Sequence, residues 1–343
     1  MRIGILTGGG DAPGLNAAIR GVARRAFQLG HHVSGIKNGW AGALNGDMAD
    51  LNPGDVRGIL PLGGTILGTS RTNPMKETDG IARVRATLQR FGVDGLVAIG
   101  GDDTLSVARA LHDGGGYRVV GVPKTIDNDL SATEFCIGFD TAVGIVVDGL
   151  DRLHTTASAH HRVMVVEVMG RDTGWVAFAG GLAGGADLIV IPEFPVEMDE
   201  VVRHLHRRRG EGKDFSIIVV AEGACFPGLD LGNDGGQTDA FGHVQLARRG
   251  VGDALSRRIE QETGFETRVT VLGHLQRGGT PSAVDRLWAT RLGVAATELL
   301  HRGEGGVAPV RRDGDVAVVP LADLVAETRR VPRDLYDLTR VFV

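Results

Sequence analysis

The residues best equipped for chemistry lie in one short run, Pro123-Lys124-Thr125-Ile126-Asp127-Asn128-Asp129. It carries an ammonium, a hydroxyl and paired carboxylates, more charge than a plain connector needs. Asp127 and Asp129 are close enough in sequence to flank one ligand while facing different partners. One can then act as a general base toward a hydroxyl, and the other can hold a metal or orient an arginine. An acidic turn with Asx-type caps would use the same residue types, so the run alone leaves both readings open.

The elements around this run give it a place. Residues 119–122 are apolar and mostly β-branched and read as a buried strand that Gly121 and Pro123 help to terminate. In an open α/β sheet ligands bind at the carboxyl ends of the strands, which is where this loop would emerge. Residues 2–6 read as another strand and 16–29 as a helix with Ala17, Ala18, Val22 and Ala26 on its apolar side. Between them lies Thr7-Gly8-Gly9-Gly10-Asp11-Ala12-Pro13-Gly14, a turn whose backbone N–H groups can meet a phosphate at the helix start. It matches neither GxGxxG nor a Walker A loop. A second glycine segment, 62–71, ends in Arg71, a charge able to reach a phosphate. The grammar then repeats: a strand over 93–99, Gly100-Gly101-Asp102-Asp103-Thr104, and a helix over 105–111. Adjacent aspartates ahead of a helix serve its N-terminus, and one of them can also bind Mg²⁺, a hard ion held through few carboxylates plus substrate phosphates and water.

The second half continues the pattern, with strands over 162–168, 188–191, 216–221, 267–272 and 316–319 and helices over 141–156, 175–182, 200–209, 244–263 and 285–300. Repeated β-α units imply a parallel sheet with right-handed crossovers. Charged residues again stand at strand carboxyl ends: Arg171, Glu193 and Glu222. Residues 225–243 are rich in Gly and Asp and read as a loop, and His204-Leu205-His206-Arg207-Arg208-Arg209 reads as a solvated helix face.

Composition bounds the class. A chain of 343 residues with 42% hydrophobic and 23% charged residues is expected to form two globular domains. Its net charge of -5 excludes a general nucleic-acid binder, so anion sites must be local. Cys136 and Cys225 have no metal-ligand spacing, so neither a disulfide framework nor a zinc site is indicated. With no long apolar run and no signal-like start, the expectation is a cytoplasmic protein without membrane partners.

In this order, GGGDAPGLN, GGTILGTSR, GGDDT, PKTIDND, RVMVVEVMGR, AEG and TRVTVLGHLQRGGTPSAVDR resemble the motifs of the phosphofructokinase family over nearly the whole chain. The resemblance implies an α/β fold of two Rossmann-like parallel-sheet domains with the active site in the cleft between them. Residues 1–140 with about 274–325 would form the phosphoryl-donor domain, and 141–273 with about 326–343 the sugar-phosphate domain. It also implies Mg²⁺ and transfer of a phosphoryl group to the 1-hydroxyl of fructose 6-phosphate. By the same resemblance Asp127 is the base, positioned by Thr125 and Asp129, and Asp102 is the metal ligand. Gly10 and Arg71 match residues at the donor phosphates. Arg162, Met169, Gly170, Arg171, Glu222, Arg268, His274 and Arg277 match the sugar-phosphate site, joined there by Thr125 and Asp127. In the family Arg162 and Arg268 come from a neighbouring subunit, which implies a homodimer or homotetramer with shared sites.

By the resemblance the phosphoryl donor turns on Asp103 and Lys124, where ATP-dependent relatives usually carry glycines, and chiefly on Asp103, since some ATP-using relatives keep Lys at the second place. A carboxylate at 103 would repel a nucleotide α-phosphate, and an ammonium at 124 would neutralise a departing phosphate. Both resemble the pyrophosphate-dependent branch, which is reversible; the alternative donor is ATP. A nicotinamide dehydrogenase is excluded by the first loop, and a lipid or NAD kinase leaves PKTIDND and GHLQRGG unexplained. A non-catalytic sugar-phosphate sensor would keep the arginines without needing Asp127. Of the basic effector-site residues of allosteric bacterial relatives, Arg20, Arg24 and Lys213 have counterparts here, but His154 and Glu211 replace arginines, so little response to ADP or phosphoenolpyruvate is expected.

Overall fold

The computed structural model describes residues 1–229 and 250–342. Residues 230–243 of the loop read over 225–243, and 244–249 of the helix read from 244, lie outside the described residues. The chain divides into two compact units, Met1–Thr141 with Arg277–Thr328, and Ala142–Gln276 with Arg329–Val343. Among the described residues no helix is long and apolar enough to cross a membrane.

Unit 1 is built on a seven-stranded sheet. Its strands are β1 (Arg2–Thr7), β2 (His32–Ile36), β3 (Met48–Leu51), β4 (Gly95–Gly100), β5 (Val119–Pro123), β10 (Val307–Arg312) and β11 (Asp315–Pro320). Their order across the sheet is β11-β10-β5-β4-β1-β2-β3, parallel except for the antiparallel edges β3 and β11. β1, β4 and β5 are apolar almost throughout, as strands covered on both faces must be. Helix α1 (Leu15–Gln28) and helix α9 (Ala283–His301) cover one face, over Ile3, Ile5, Val97, Ile99, Val120 and Val122. Helices α2 (Trp40–Asn45), α3 (Gly80–Arg90), α4 (Asp102–Asp113) and the short α10 (Leu321–Leu324) cover the other, over Leu6, Ile36, Leu96 and Ala98.

Unit 2 carries a parallel four-stranded sheet in the order β7 (Leu188–Val190), β8 (Ser216–Ala221), β6 (Val163–Val168), β9 (Thr267–Val271). Helices α7 (Met198–Gly210) and α8 (Val251–Thr263) bury Val201, Leu205, Leu255 and Ile259 on one face with Val163, Val165, Ile218 and Val220. On the other, α6 (Trp175–Ala183) packs through glycines. Gly181 lies against Ile189 and Val219, and Gly180 against Val146 of α5 (Phe139–His160). A methyl group at Gly180 would come within 2.6 Å of Val146, so the close helix approach requires glycine. A short α11 (Arg333–Tyr336) follows near the end of the chain.

Several elements were not expected from the sequence. β2 and β3 are short, and β3 lies at an edge with Ala49 and Asp50 exposed, so neither offers a long apolar run. β10 contains Pro309, which lacks an N–H and argues against a strand. The strand survives because its pairing with β5 is confined to Val307, next to the edge. Helix α3 is Arg-rich, and its apolar stripe is thin, with Val84 and Leu88 buried.

Candidate functional site

In unit 1 the adjacent strands β5, β4 and β1 end level: Thr7 pairs with Ile99, and Gly100 with Pro123. Their following loops, Gly8–Gly10, Gly101–Asp103 and Lys124–Asp129, therefore emerge together. α1 leaves β1 toward one face and α4 leaves β4 toward the other. Loops that diverge in this way open a crevice at the sheet's carboxyl edge, the place where ligands bind in doubly wound folds.

Lys124 is the electrostatic centre of these loops. Its side chain is buried, 2% exposed, and Nζ donates to the carbonyls of Gly8 at 3.0 Å and Gly10 at 2.5 Å. Burial pulls the ammonium down to about 8, and Arg277 pushes the same way, while Asp11, Asp127 and Asp129 oppose them. Arg277 donates Nη1 to the Asp11 carbonyl at 3.1 Å, and a methyl group on Gly10 would lie 2.5 Å from that nitrogen. The segment 62–71 lies against the same loop: Thr69 Oγ1 donates to Gly9 O at 2.6 Å, and Gly9 N donates to Ser70 O at 3.2 Å. Exposed Arg71 follows directly. Gly10, Lys124, Arg277 and the segment leading to Arg71 are thus brought together within unit 1. Thr104, not singled out in the sequence, fills the space left by Gly8 and Gly100. A methyl group at either glycine would meet it within 2.6 Å.

The loop that follows Lys124 is held by Asn128, whose backbone is left-handed, φ 51°. Asn tolerates that conformation better than most residues. Its buried side chain accepts from Cys136 N at 2.9 Å and donates to Glu134 O at 3.3 Å. Asp127 and Asp129 flank this pinned residue. Thr125 Oγ1 accepts from Asp127 N at 3.1 Å, and its hydroxyl also bonds Asp129. Burial raises the Asp129 carboxyl, and the charges of Asp127 and then Asp102 raise it further, so three carboxylates share one electrostatic neighbourhood. Asp102 and Asp103 occupy the first turn of α4, where the helix dipole favours them. The N-cap itself is Gly101, with no side-chain cap bond, so neither aspartate acts as that cap. Asp102 is exposed and Asp103 half-buried. Among the described residues no three His, Cys, Asp or Glu side chains converge as a metal cage. Asp102 and Asp103 could offer a carboxylate to Mg²⁺, which takes one or two protein carboxylates and completes its shell with water and substrate phosphate.

Asp285 is a residue that sequence reasoning missed. Fully buried, it accepts from Gly138 N at 2.7 Å and Thr141 N at 2.8 Å, and also from the Thr141 hydroxyl. It thereby fixes the end of the segment that follows β5 onto α9. Its place within TPSAVDR gave no hint of that role.

In unit 2 the paired ends Val168 and Ala221 carry Met169-Gly170-Arg171 and Glu222 side by side. Gly223 N donates to Gly170 O at 3.0 Å, and Gln276 Oε1 accepts from Met169 N at 3.0 Å. Gly170 has φ 140°, and a side chain there would strike the Thr173 carbonyl at 2.6 Å. Arg171 pairs with Asp172 at 2.9 Å, and His274 is exposed after β9. Arg162 and Arg268 lie elsewhere. Arg162 precedes β6 and Arg268 pairs with Met164 near its start, and both arginines hold Glu266, Arg162 at 2.8 Å. The Arg162 hydrogen bond is the main reason the Glu266 carboxyl is held below its usual range. Six strand residues separate Arg162 from Met169, which at roughly 3.3 Å per residue is about 20 Å. One chain does not bring these arginines to the Met169–Arg171 loop.

The basic run on α7 is not simply a solvated face. Arg208 is buried, paired with Asp187 at 2.7 Å and Ser216 Oγ at 2.9 Å. His204 is also buried, and burial followed by the Arg208 and Arg207 charges pushes it down to about 4. Arg207 and Arg209 remain exposed. Of the positions that replace effector-site arginines, His154 bonds Gly184 O at 2.9 Å and Glu211 pairs with Lys213 at 3.3 Å.

Comparison with known proteins places this geometry among relatives. The family model described as Phosphofructokinase matches residues 2–300. A pyrophosphate--fructose 6-phosphate 1-phosphotransferase of Streptomyces coelicolor is 51% identical, over 100% of this chain and 99% of its own. From the same organism, ATP-dependent 6-phosphofructokinase 3 is 48% identical over 98% of each chain. The crystal structure of a pyrophosphate-dependent phosphofructokinase from Marinobacter aquaeolei shares the fold. Its TM-score is 0.84 at 23% identity, with 100% of this chain and 91% of that one covered.

Proposed function

The chain belongs to the phosphofructokinase family, and we propose that it is a cytoplasmic, pyrophosphate-dependent phosphotransferase that converts fructose 6-phosphate to fructose 1,6-bisphosphate reversibly. Overall identity does not choose the donor, since relatives named for pyrophosphate and for ATP differ by little, 51% against 48%. The observation that carries the choice is Asp103, which places a second carboxylate next to Asp102 in the first turn of α4. Lys124 supports it as a buried ammonium bonded to the carbonyls of Gly8 and Gly10. A cation fixed at the loop suits a compact, highly charged donor, and a carboxylate beyond it opposes a third phosphate.

In this reading the sugar 1-hydroxyl attacks the terminal phosphorus of pyrophosphate, the bridging P–O bond breaks and orthophosphate departs. Asp127 accepts the hydroxyl proton, with Thr125 holding the loop geometry through Asp127 N. Gly10, Arg71 and Lys124 bind the donor, and Lys124 and Arg171 offset the charge of the phosphates that separate. Asp102 would hold Mg²⁺, which when bound neutralises charge on the pyrophosphate oxygens. Met169, Gly170, Arg171, Glu222, His274 and Arg277 serve the sugar phosphate. Arg162 and Arg268 serve it in a partner subunit, a reading supported by their position at the opposite end of β6 from Met169. The enzyme is then a homodimer or homotetramer. Incubating purified protein with Mg²⁺, fructose 6-phosphate and pyrophosphate tests the proposal. Fructose 1,6-bisphosphate and orthophosphate should appear in equal amounts, and no product with pyrophosphate would overturn it.

A further inference from the structure

Asn16, in the first turn of α1, is only 2% exposed, yet its side chain bonds nothing in its own helix. Oδ1 accepts from Ile66 N at 2.8 Å, and Nδ2 donates to Leu62 O at 3.2 Å and Gly63 O at 3.1 Å. All its strong hydrogen-bonding capacity is directed at one segment, 62–66. That segment and its continuation to Arg71 contain no helix or strand. Backbone without a ladder must find other partners. Side chains supply further ties, Thr7 Oγ1 donating to Gly68 O at 2.8 Å and Thr69 Oγ1 to Gly9 O at 2.6 Å, beside backbone bonds from Asn38 N to Leu67 O at 2.8 Å and from Gly9 N to Ser70 O at 3.2 Å. Gly63 is also pressed against the Gly278-Gly279 turn, since a methyl group there would lie 2.2 Å from Gly279 O.

We infer that Asn16 is a positioning residue for the phosphoryl donor: it sets the register of segment 62–71 against the first glycine loop, and so fixes where Arg71 meets the donor. This rests on the donor site proposed above. An Asn is suited to the place because it supplies one acceptor and two donors at once. Aspartate would keep the bond from Ile66 N but turn an anion toward the carbonyls of Leu62 and Gly63. Alanine would leave all three backbone groups without a partner.

The test is binding calorimetry with Mg²⁺-pyrophosphate and, separately, with fructose 6-phosphate, on wild type, Asn16→Ala, Asn16→Asp and Thr69→Val, alongside steady-state KM values. Asn16→Ala and Asn16→Asp should each weaken pyrophosphate by about 10-fold or more while fructose 6-phosphate stays within about twofold. Thr69→Val, which removes one bond of the same segment, should show the same split at smaller size. A role confined to stability would lower melting temperature without separating the ligands, and equal losses for both, or none, overturn the inference. Should Asn16→Ala not fold, the Thr69→Val split decides. If wild type binds the sugar phosphate but not pyrophosphate, the donor reading has failed instead, and the split must then reappear with Mg²⁺-ATP or the inference falls too.

Discussion

Replacing Lys124 by Met should cost turnover and change the pH dependence of stability in a defined direction. In the fold this ammonium sits near 8 against an ordinary value of 10.5, because burial and Arg277 disfavour the charge more than its acidic neighbours support it. A folded pKa below the unfolded one means that the unfolded chain binds the proton more tightly. The penalty is therefore fully present below about pH 8 and fades as pH rises from about 8 to 10.5. That gap corresponds to roughly 3 kcal/mol at pH 7, less whatever the Gly8 and Gly10 carbonyls lose when their donor goes, on the order of 1–3 kcal/mol. The two nearly cancel, so Lys124→Met should be close to wild type in stability at pH 7. At pH 10 most of the charge penalty is gone, and the wild type should be the more stable by about 2 kcal/mol. Urea unfolding of both proteins at the two pH values reads this difference directly, and other titrating groups cancel in the comparison. The kinetic counterpart is an alkaline fall in kcat/KM for pyrophosphate near pH 8 in the wild type, absent from the variant. A stability difference that does not change between pH 7 and 10 would refute the account of a strained, buried ammonium.

Asp127→Ser should lower kcat by at least about 10² while fructose 6-phosphate binding, measured by calorimetry, is largely kept. Near-normal turnover would remove Asp127 as the base. Mixing inactive Asp127→Ser with inactive Arg162→Ala under subunit exchange should regenerate activity, because some sites then combine an intact base with an intact arginine; a mixture that stays inactive would argue for sites built from one chain. ADP and phosphoenolpyruvate should leave the fructose 6-phosphate saturation curve hyperbolic, since His154 and Glu211 are engaged with Gly184 and Lys213; sigmoidal curves relieved by ADP would contradict this. Asp285→Ala should destabilise the protein by about 3 kcal/mol in urea unfolding, because it strands buried donors at Gly138 and Thr141; a loss under about 1 kcal/mol would refute the bracing role given to Asp285.

Much of the loop cluster at the carboxyl ends of β1 and β4 was legible because it is local. Strand, glycines, Asp and helix follow one another within a few residues in both the first unit and the 93–111 stretch, and short-range order of that kind survives folding unchanged. Asp102 and Asp103 fall in the first turn of α4, as such an order requires. What could not be read was long-range. Nothing near Lys124 in sequence says that its ammonium ends on Gly8 and Gly10, or that Arg277 lies against the same loop. The Lys124 contact depends on strand order, which sets β1 and β5 on either side of β4 with their ends level. Asn128 carried a readable signal, since Asn amid aspartates favours the left-handed turn it adopts. Arg208 misled in the other direction: three arginines in a row suggest solvent, but a helix turns one in every three or four residues inward, and Asp187 waited there.

The central claim, pyrophosphate as donor with Asp103 as the gate against ATP, is tested most directly by steady-state kinetics of wild type and Asp103→Gly with each donor at saturating fructose 6-phosphate. An α-phosphate brought against a partly desolvated carboxylate is opposed by on the order of several kcal/mol. The wild type should therefore turn over with pyrophosphate and hardly at all with ATP, and Asp103→Gly should lower the KM for ATP and raise ATP-dependent activity. A wild type that prefers ATP, or an Asp103→Gly variant whose use of ATP is unchanged, would contradict the assignment.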